Sequence, residues 1–243
     1  MKTLLATFSG VLLTGLLHAQ LTDLRRLHSF GETNQSSGVP DCRWTSAGLV
    51  EGPDGALYGT APNGGTGLYT GGGAVFKVHK DGTAYTILRH FGINTTDARQ
   101  PAHGVIVASD GNLYGTSVNG GNNDVGTVFK LNRDGSGYQI LHHFAPDPDA
   151  FYPFAGVIEG SDGVLYGTST RPVVGAIYKI NKNGTGYAIL KYLNESLDGA
   201  RPEASLIEAA DGRLYGTTVT GGSYRRGTLF RMNKDGSGFL VLR

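Results

Sequence analysis

The heptapeptide Asp110-Gly111-Asn112-Leu113-Tyr114-Gly115-Thr116 decides the fold, because the chain contains four versions of it. The others begin at Asp54, Asp162 and Asp211, so successive copies start 56, 52 and 49 residues apart. In each copy Asp-Gly suits a tight hairpin turn, and Leu-Tyr suits the strand that leaves the turn. The glycine after the tyrosine is a poor strand residue and indicates that a neighbouring group comes close there. A period of about 50 residues is typical of propeller blades or similar arrays.

The sequence around each heptapeptide follows one order. In the first repeat a short apolar segment (48–52) precedes the heptapeptide, and a glycine-rich loop (62–73) follows it. A strand-like segment (74–78), an Asp-Gly turn and a last apolar segment (85–88) complete the repeat. Alternating apolar residues between regular turn signals predict four antiparallel strands in each repeat. The repeats are predicted at about 47–91, 104–144, 155–193 and 204–243.

These repeats predict an all-β, propeller-like array, standing alone or forming part of a larger propeller, because a four-stranded unit must stack on its neighbours to bury both faces. An orphan strand is predicted at residues 24–30, since it resembles segments 87–91 and 140–144 at the ends of repeats. An unpaired strand edge invites aggregation, so this strand is expected to pair with the last repeat. It would lie beside or in place of residues 239–243 and would join the two ends of the array.

The composition excludes some classes of function. The chain has 243 residues, 39 glycines, 17% charged residues and a formal charge of +1. Such a chain has no basic stripe to neutralise a phosphate backbone, so nucleic-acid binding is not expected. Because Cys42 is the only cysteine, it cannot form an internal disulfide, and it is expected to be a buried thiol or an intermolecular partner.

Residues 1–19 are predicted to be a secretory signal peptide. Lys2 gives the positive start, residues 4–17 are apolar but too few to span a bilayer, and Leu17-His18-Ala19 offers a cleavage site. The mature chain would then be the repeat domain at 20–243, with no transmembrane segment. This predicts a secreted or cell-surface protein.

The repeats resemble the GloVer-type tandem repeats of secreted and surface bacterial proteins, also called choice-of-anchor repeat proteins. The shared pattern is an Asp…Pro link, a Gly-Leu/Val-Ile strand, Asp-Gly-x-Leu-Tyr-Gly-Thr, a Gly-Gly loop, Gly-Thr-Val-Phe-Lys, Asp-Gly-x-Gly-Tyr and an Ile-Leu-His-His-Phe-like strand. It extends over residues 24–243. The resemblance implies an exported protein with a propeller-like fold and no established biochemical activity.

Residues that recur in every repeat are explained by the fold, so no catalytic residue, metal ligand or cofactor is predicted. Two interpretations remain for the tyrosines Tyr58, Tyr114, Tyr166 and Tyr215. They pack between blades with hydroxyls bonded to backbone, which is favoured, or they form a ladder on which sugars stack. The histidines of the outer strands need no function, and metal binding by His142 and His143 is not favoured because adjacent strand residues point to opposite faces. The recurring carboxylates of Glu51, Glu159 and Glu208 are likewise assigned to structure.

The loops between second and third strands, and the links between repeats, differ from repeat to repeat and should lie on one face of the array. Aromatic, arginine and polar side chains on such loops are typical of a binding surface. The predicted ligand-binding residues are Trp44, Tyr69, Arg99, Asn122, Asp124, Tyr152, Arg201, Tyr224 and Arg225.

The predicted function is a non-enzymatic module that binds an extracellular glycan or protein, or that serves in surface display. The alternative is a polysaccharide lyase or glycoside hydrolase that uses the same loops. A glycosidase needs two carboxylates about 5–10 Å apart. The variable loops and links offer only Asp124 and Asp149 for that role.

Overall fold

The computed structural model describes residues 26–31, 41–45, 47–66, 71–146, 149–170 and 174–243. Within these ranges the protein is all-β and contains no helix. It follows that the described chain holds no helix long and apolar enough to cross a membrane. The predicted signal peptide at 1–19 lies outside the described residues.

The described chain forms twenty short strands. They are β1 (Cys42–Arg43), β2 (Val50–Glu51), β3 (Ala56–Ala61), β4 (Asn63–Gly64), β5 (Ala74–His79), β6 (Thr86–His90), β7 (Ala98–Arg99), β8 (Val105–Val107), β9 (Leu113–Ser117), β10 (Asn119–Gly120), β11 (Thr127–Leu131), β12 (Gln139–His143), β13 (Ile158–Glu159), β14 (Leu165–Ser169), β15 (Ala176–Ile180), β16 (Ala188–Tyr192), β17 (Ile207–Glu208), β18 (Leu214–Thr217), β19 (Leu229–Met232) and β20 (Leu240–Val241).

Each repeat forms one four-stranded antiparallel sheet, as the sequence predicts. The strand orders are β2-β3-β5-β6, β8-β9-β11-β12, β13-β14-β15-β16 and β17-β18-β19-β20. The heptapeptide makes the first hairpin: Gly111 sits at φ 79°, and Tyr114 pairs with Ile106 across the turn. Two further two-stranded sheets, β1-β4 and β7-β10, were not predicted. They tie the link at the start of a repeat to the loop between its second and third long strands.

The hydrophobic core lies between the repeats. One cluster joins Tyr58 and Val75 of the first repeat to Leu113 and Phe129 of the second. Corresponding clusters join the second repeat to the third and the third to the fourth. Adjacent sheets therefore bury the faces that they turn to each other, as expected for stacked blades.

The glycine of the heptapeptide allows close packing, as predicted. A Cβ atom added at Gly115 would lie 2.7 Å from Cζ of Phe129 and 3.1 Å from Cγ1 of Val105. Gly59 and Gly216 face the rings of Phe76 and Phe230 in the same way. Because the ring of the third strand occupies this space, a side chain at the glycine would displace part of the core.

The heptapeptide tyrosines pack between repeats, but their hydroxyls do not bond to backbone. Tyr58, Tyr114 and Tyr166 are buried, and each lies in the core cluster shared with the following repeat. Their hydroxyls donate to the aspartate that opens their own heptapeptide, at 2.8 Å in each case. The backbone partner predicted from sequence is therefore wrong, because the hydroxyl donates to the aspartate carboxylate four residues earlier in the chain.

The orphan segment does not behave as predicted in its described part. Residues 26–29 form no strand, and residues 26–31 pair with no strand of the fourth repeat. They pack instead on the first repeat, where the ring centroid of His28 lies 3.7 Å from that of Tyr85 and that of Phe30 lies 5.1 Å from that of Phe76. The fourth repeat uses its own β20 as the last strand. The predicted pairing is thus replaced by packing at the opposite end of the array.

Candidate binding site

The links that start the repeats are seated in the loops of the preceding repeats. The amides of Gln100, Tyr152 and Arg201 donate to the carbonyls of Gly72, Val125 and Val174 at 2.9, 2.9 and 3.0 Å. In each link a proline follows directly. These bonds hold one residue of each link in a fixed place relative to the repeat before it.

That residue adopts an uncommon backbone conformation. Trp44, Gln100, Tyr152 and Arg201 have φ angles of 59°, 57°, 55° and 60°, in the left-handed region that non-glycine residues rarely occupy. The carbonyls of the last three accept amide hydrogens from Val118, Thr170 and Val219 of their own repeats, at 3.0–3.1 Å. Such conformations persist only where surrounding contacts hold them, and they occur often at ligand sites.

Two of these positions border a cleft of about 450 Å³. Its lining combines aromatic, amide and small apolar side chains from two repeats and two links: Pro62, Asn63, Gln100, Ala102, Val118, Asn119, Tyr152 and Phe154. The amide of Asn119 donates to Oε1 of Gln100, which orients both groups. None of these described lining residues carries a charge. The cleft can therefore offer ring surfaces together with neutral hydrogen-bond donors and acceptors.

The structure brings together three of the residues predicted to bind ligand. Tyr152 lines the cleft. Arg99 and Asp124 form an ion pair next to it, and Asp124 also accepts the amide of Gly120 at 2.8 Å. Burial opposes ionisation of Asp124, but these bonds hold the pKa of its carboxyl below its usual value. This pair fixes the loop beside the cleft.

The other predicted residues lie elsewhere or have other partners. Trp44 is 78% exposed and does not line the cleft. Arg201 pairs with Glu203 at 2.6 Å, and the amide of Asn122 donates to Nδ1 of His143. Tyr224 and Arg225 belong to a loop of the fourth repeat. Tyr69 lies outside the described residues.

Sequence reasoning missed the amide residues of the cleft and Phe154. Gln100 could have been found by aligning the links on their prolines, since it then occupies the position of Tyr152 and Arg201. Asn63 and Asn119 stand before the Gly-Gly of their loops, a position that turn chemistry alone explains. No pattern distinguishes Phe154 before the structure places it in the cleft.

A charged cluster joins each link to the repeats on either side. Asp97 is buried and forms an ion pair with Arg89 at 3.2 Å. Its carboxylate also accepts a hydrogen bond from the hydroxyl of Tyr138 at 2.7 Å. The guanidinium of Arg89 lies 4.1 Å from the centroid of the Tyr138 ring. The corresponding groups at the next link are His142, Asp149 and Tyr187. Burial and the hydrogen bond to Asp149 raise the pKa of Tyr187. These clusters fix the links, and with them the cleft, to the scaffold.

The recurring glutamates are structural, as predicted. Glu159 accepts the amide and hydroxyl of Ser109 from the preceding repeat, both at 2.7 Å, and pairs with Lys182 at 2.6 Å. Glu208 repeats these contacts with Ser161 and Lys234. These hydrogen bonds tie adjacent first hairpins together, away from the loop face.

Cys42 is a buried thiol, which was the first of the two alternatives predicted from the sequence. Burial raises its pKa to about 11, so it stays protonated and unreactive at neutral pH. Among the described residues no three His, Cys, Asp or Glu side chains gather closely enough to hold a metal ion.

Fold and site together define a propeller-like repeat protein with a neutral cleft on its loop face. Many solved structures share this fold, and three of them illustrate it. The chain aligns with a chain of the nidogen/laminin complex at TM-score 0.57 and 16% identity, covering 81% of this chain and 64% of that one. It aligns with XC5397, a gluconolactonase of Xanthomonas campestris, at TM-score 0.50 and 19% identity, covering 80% and 60%. It aligns with a protein assigned to TolB of Agrobacterium tumefaciens at TM-score 0.52 and 12% identity, covering 84% and 66%.

The chain thus spans less than two thirds of each of these three solved structures, and at these identities the likeness shows the fold alone. No curated protein matches the sequence. The family is nevertheless plain: the chain belongs to the Gloeobacter/Verrucomicrobia repeat family, whose model matches residues 45–243. This confirms the resemblance seen in the sequence.

Proposed function

We propose that the protein is a secreted or cell-surface, non-enzymatic module that binds a neutral glycan in the cleft of the loop face. One observation carries this proposal: aromatic Tyr152 and Phe154 share an uncharged cleft with Asn63, Gln100 and Asn119. A neutral sugar presents apolar C–H faces and many hydroxyls. Rings and amides together satisfy both, because an amide donates and accepts hydrogen bonds at one position.

The scaffold supports recognition rather than chemistry. The links bordering the cleft are held by backbone bonds on both sides and by the buried aspartate clusters. Binding to a rigid site avoids the entropy cost of ordering loops. A glycosidase would need a pair of carboxylates across the bond, whereas the described lining of this cleft contains none.

The test is titration of the protein against neutral and acidic oligosaccharides, followed by calorimetry on the best ligand. We expect saturable binding of a neutral oligosaccharide and a loss of at least about tenfold in affinity in Tyr152→Ala and Asn119→Ala. Trp44→Ala is the matched control, since Trp44 is an exposed aromatic at the equivalent link position but lies outside the cleft.

Two results would overturn the proposal. Affinity that falls in Trp44→Ala and not in Tyr152→Ala would move the site away from the cleft. New reducing ends, unsaturated sugars or opened lactones after incubation would establish an enzyme, the alternative considered from the sequence.

A further inference from the structure

Two amide side chains of the cleft form a hydrogen-bonded pair. The side-chain nitrogen of Asn119 donates to Oε1 of Gln100. Both residues are half-buried, and both line the cleft. Because an amide carries donors on its nitrogen and an acceptor on its oxygen, this one bond determines which atom of each group is left for a bound molecule.

The atoms left over are one donor and one acceptor. Within the described residues, the side-chain nitrogen of Gln100 and the side-chain oxygen of Asn119 have no hydrogen-bond partner. Both atoms are accessible to solvent, since neither belongs to the buried side-chain atoms that lack a partner. The pair therefore presents a donor next to an acceptor to any molecule in the cleft.

The backbone holds both members of the pair in place. The amide of Gln100 bonds to the preceding repeat and its carbonyl bonds to its own repeat, so its side chain is not needed for these structural contacts. The pairing of β7 with β10 sets Asn119 opposite Arg99, and the ion pair of Arg99 with Asp124 fixes the loop that follows. Both side chains therefore start from fixed positions, which lowers the entropy cost of binding.

The pair is a feature of the second repeat and is not required by the fold. The residues at the link position of Gln100 in the other repeats are Trp44, Tyr152 and Arg201, which share its left-handed backbone conformation. None of these three side chains carries an amide. Since those repeats form the same four-stranded sheet without such a pair, its presence here is better explained by recognition than by folding.

Aromatic rings line the same cleft as the pair. The carbonyl of Tyr152 accepts the amide of Phe154 at 2.9 Å and the amide of Thr170 at 3.0 Å. This tight turn brings the side chains of Tyr152 and Phe154 into one lining, with Phe154 38% exposed. A sugar whose C–H face lies on such a ring directs its hydroxyls outward along its edge, where the amides can reach them.

We infer that the Gln100–Asn119 pair selects sugars by two hydroxyls on adjacent carbon atoms, an inference that rests on the glycan binding proposed above. The nitrogen of Gln100 donates to one hydroxyl, and the oxygen of Asn119 accepts from its neighbour. A hydroxyl both donates and accepts, so a vicinal diol satisfies both groups at once. If the hydroxyls are further apart, or if one is missing, one of the two amide groups is left without a partner.

The same pair disfavours an anionic ligand. A carboxylate or phosphate oxygen only accepts hydrogen bonds, so it would face the oxygen of Asn119 with no proton between them. None of the described lining residues is a cation that could offset this repulsion. The pair therefore favours a neutral diol over an acidic sugar.

The test uses three matched probes: cis-1,2-, trans-1,2- and cis-1,3-cyclohexanediol. All three have one apolar ring and two hydroxyls, and they differ in the placement of those hydroxyls. Each is added to the nitrogen-15-labelled full chain while NMR follows the side-chain amide signal of Asn119, which is assigned by its loss in Asn119→Asp. We expect a saturable shift with at least one 1,2-diol, with a Kd on the order of 10 mM for so small a molecule. The 1,3-diol should bind about five- to tenfold more weakly, because it makes one of the two hydrogen bonds.

The variant Gln100→Glu separates the two roles of the pair. A carboxylate at this position still accepts from Asn119 but can no longer donate to the probe. We expect the preference for the 1,2-diol to disappear in this variant. Gln139→Glu, the same change at an exposed glutamine of β12, is the matched control and should keep the preference.

Three results would overturn the inference: no saturable shift up to about 100 mM diol, equal affinity for the 1,2- and 1,3-diols, or an unchanged preference in Gln100→Glu. These outcomes are distinct from failure of the proposed function. Oligosaccharide binding that depends on Tyr152 but shows no diol preference would leave the proposed function standing and overturn this inference. A diol preference without binding of any oligosaccharide would support the amide pair and overturn the proposed function.

Discussion

Tyr178 is the position where one substitution should make the protein more stable. The first, second and fourth repeats have Phe76, Phe129 and Phe230 at this register, and only the third has tyrosine. Tyr178 is completely buried, and its hydroxyl has no hydrogen-bond partner in the described structure. The hydroxyl oxygen of Tyr178 is the nearest described atom to a Cβ added at Gly167, so it lies over that glycine in the core. Burial, with the negative charge of Asp149 nearby, raises the pKa of the phenol.

The size of the effect follows from these contacts. A buried hydroxyl without a partner costs about 1–3 kcal/mol of folding free energy. Tyr178→Phe removes that cost and leaves a void of one oxygen atom, worth about 0.3 kcal/mol at about 24 cal/mol per Å³. We expect the free energy of unfolding to rise by about 1 kcal/mol and Tm to rise by about 2–4 °C.

Urea denaturation followed by far-UV circular dichroism measures this change. An unchanged m value would show that the surface exposed on unfolding is the same in both proteins. Tyr166→Phe is the matched control: its hydroxyl donates to Asp162 at 2.8 Å, so its loss should destabilise by about 1 kcal/mol. If Tyr178→Phe also destabilises by 1 kcal/mol or more, the hydroxyl is satisfied, for example by a buried water, and the reasoning fails.

Three further predictions test the packing. Tyr114→Ala should cost about 3–5 kcal/mol, as large truncations in cores do; a change below 1 kcal/mol on denaturation would show that the ring does not pack between repeats. Glu208 has its pKa lowered from 4.5 to about 2 by Lys234 and Ser161, so its contribution is complete above pH 4.5 and lost as the pH falls towards 2. Tm measured from pH 7 to pH 2 should therefore fall less steeply in Glu208→Gln, and identical slopes would contradict this. Deleting residues 21–30 removes the contact of Phe30 with Phe76, so a protease should cut the first repeat faster in limited proteolysis. Faster cutting of the fourth repeat would instead support the pairing predicted from the sequence.

Local chemistry made the fold predictable. Asp-Gly turns fix a hairpin within a few residues, and the heptapeptide glycine signals a close neighbour without saying which one. Phe129 supplies that neighbour from the adjacent strand. The all-β class and the four-stranded sheet of each repeat therefore followed from the sequence, because the contacts that decide them are short in range.

Contacts between repeats could not be predicted in the same way. Tyr138 and Asp97 are 41 residues apart, and they meet only because one sheet stacks on the next. The sequence shows the aspartate as a turn residue and the tyrosine as a strand residue, with nothing that pairs them. The prediction for the orphan segment was wrong for the same reason. Its sequence pattern indicates an outer strand, but only packing determines which repeat it contacts.

Of the residues that line the cleft, the sequence analysis had selected Tyr152 and not the others. Variability in loops and links selected Tyr152, which lines the cleft, but it also selected Trp44 and Arg201, which do not line it. Selecting aromatic and charged residues overlooked the amides of Gln100 and Asn119. A left-handed backbone position that recurs in every link cannot be read from side-chain types as different as Trp, Gln, Tyr and Arg.

The location of the core between repeats has a consequence for synthesis. A repeat that has just left the ribosome has one face covered by its predecessor, while Tyr58, Tyr114 or Tyr166 on its other face stays in water until the next repeat arrives. During synthesis we therefore expect these interfaces to close in chain order, one at a time. A pause in translation would be best tolerated just after an interface closes, and slow codons at those points should improve the yield of folded chain.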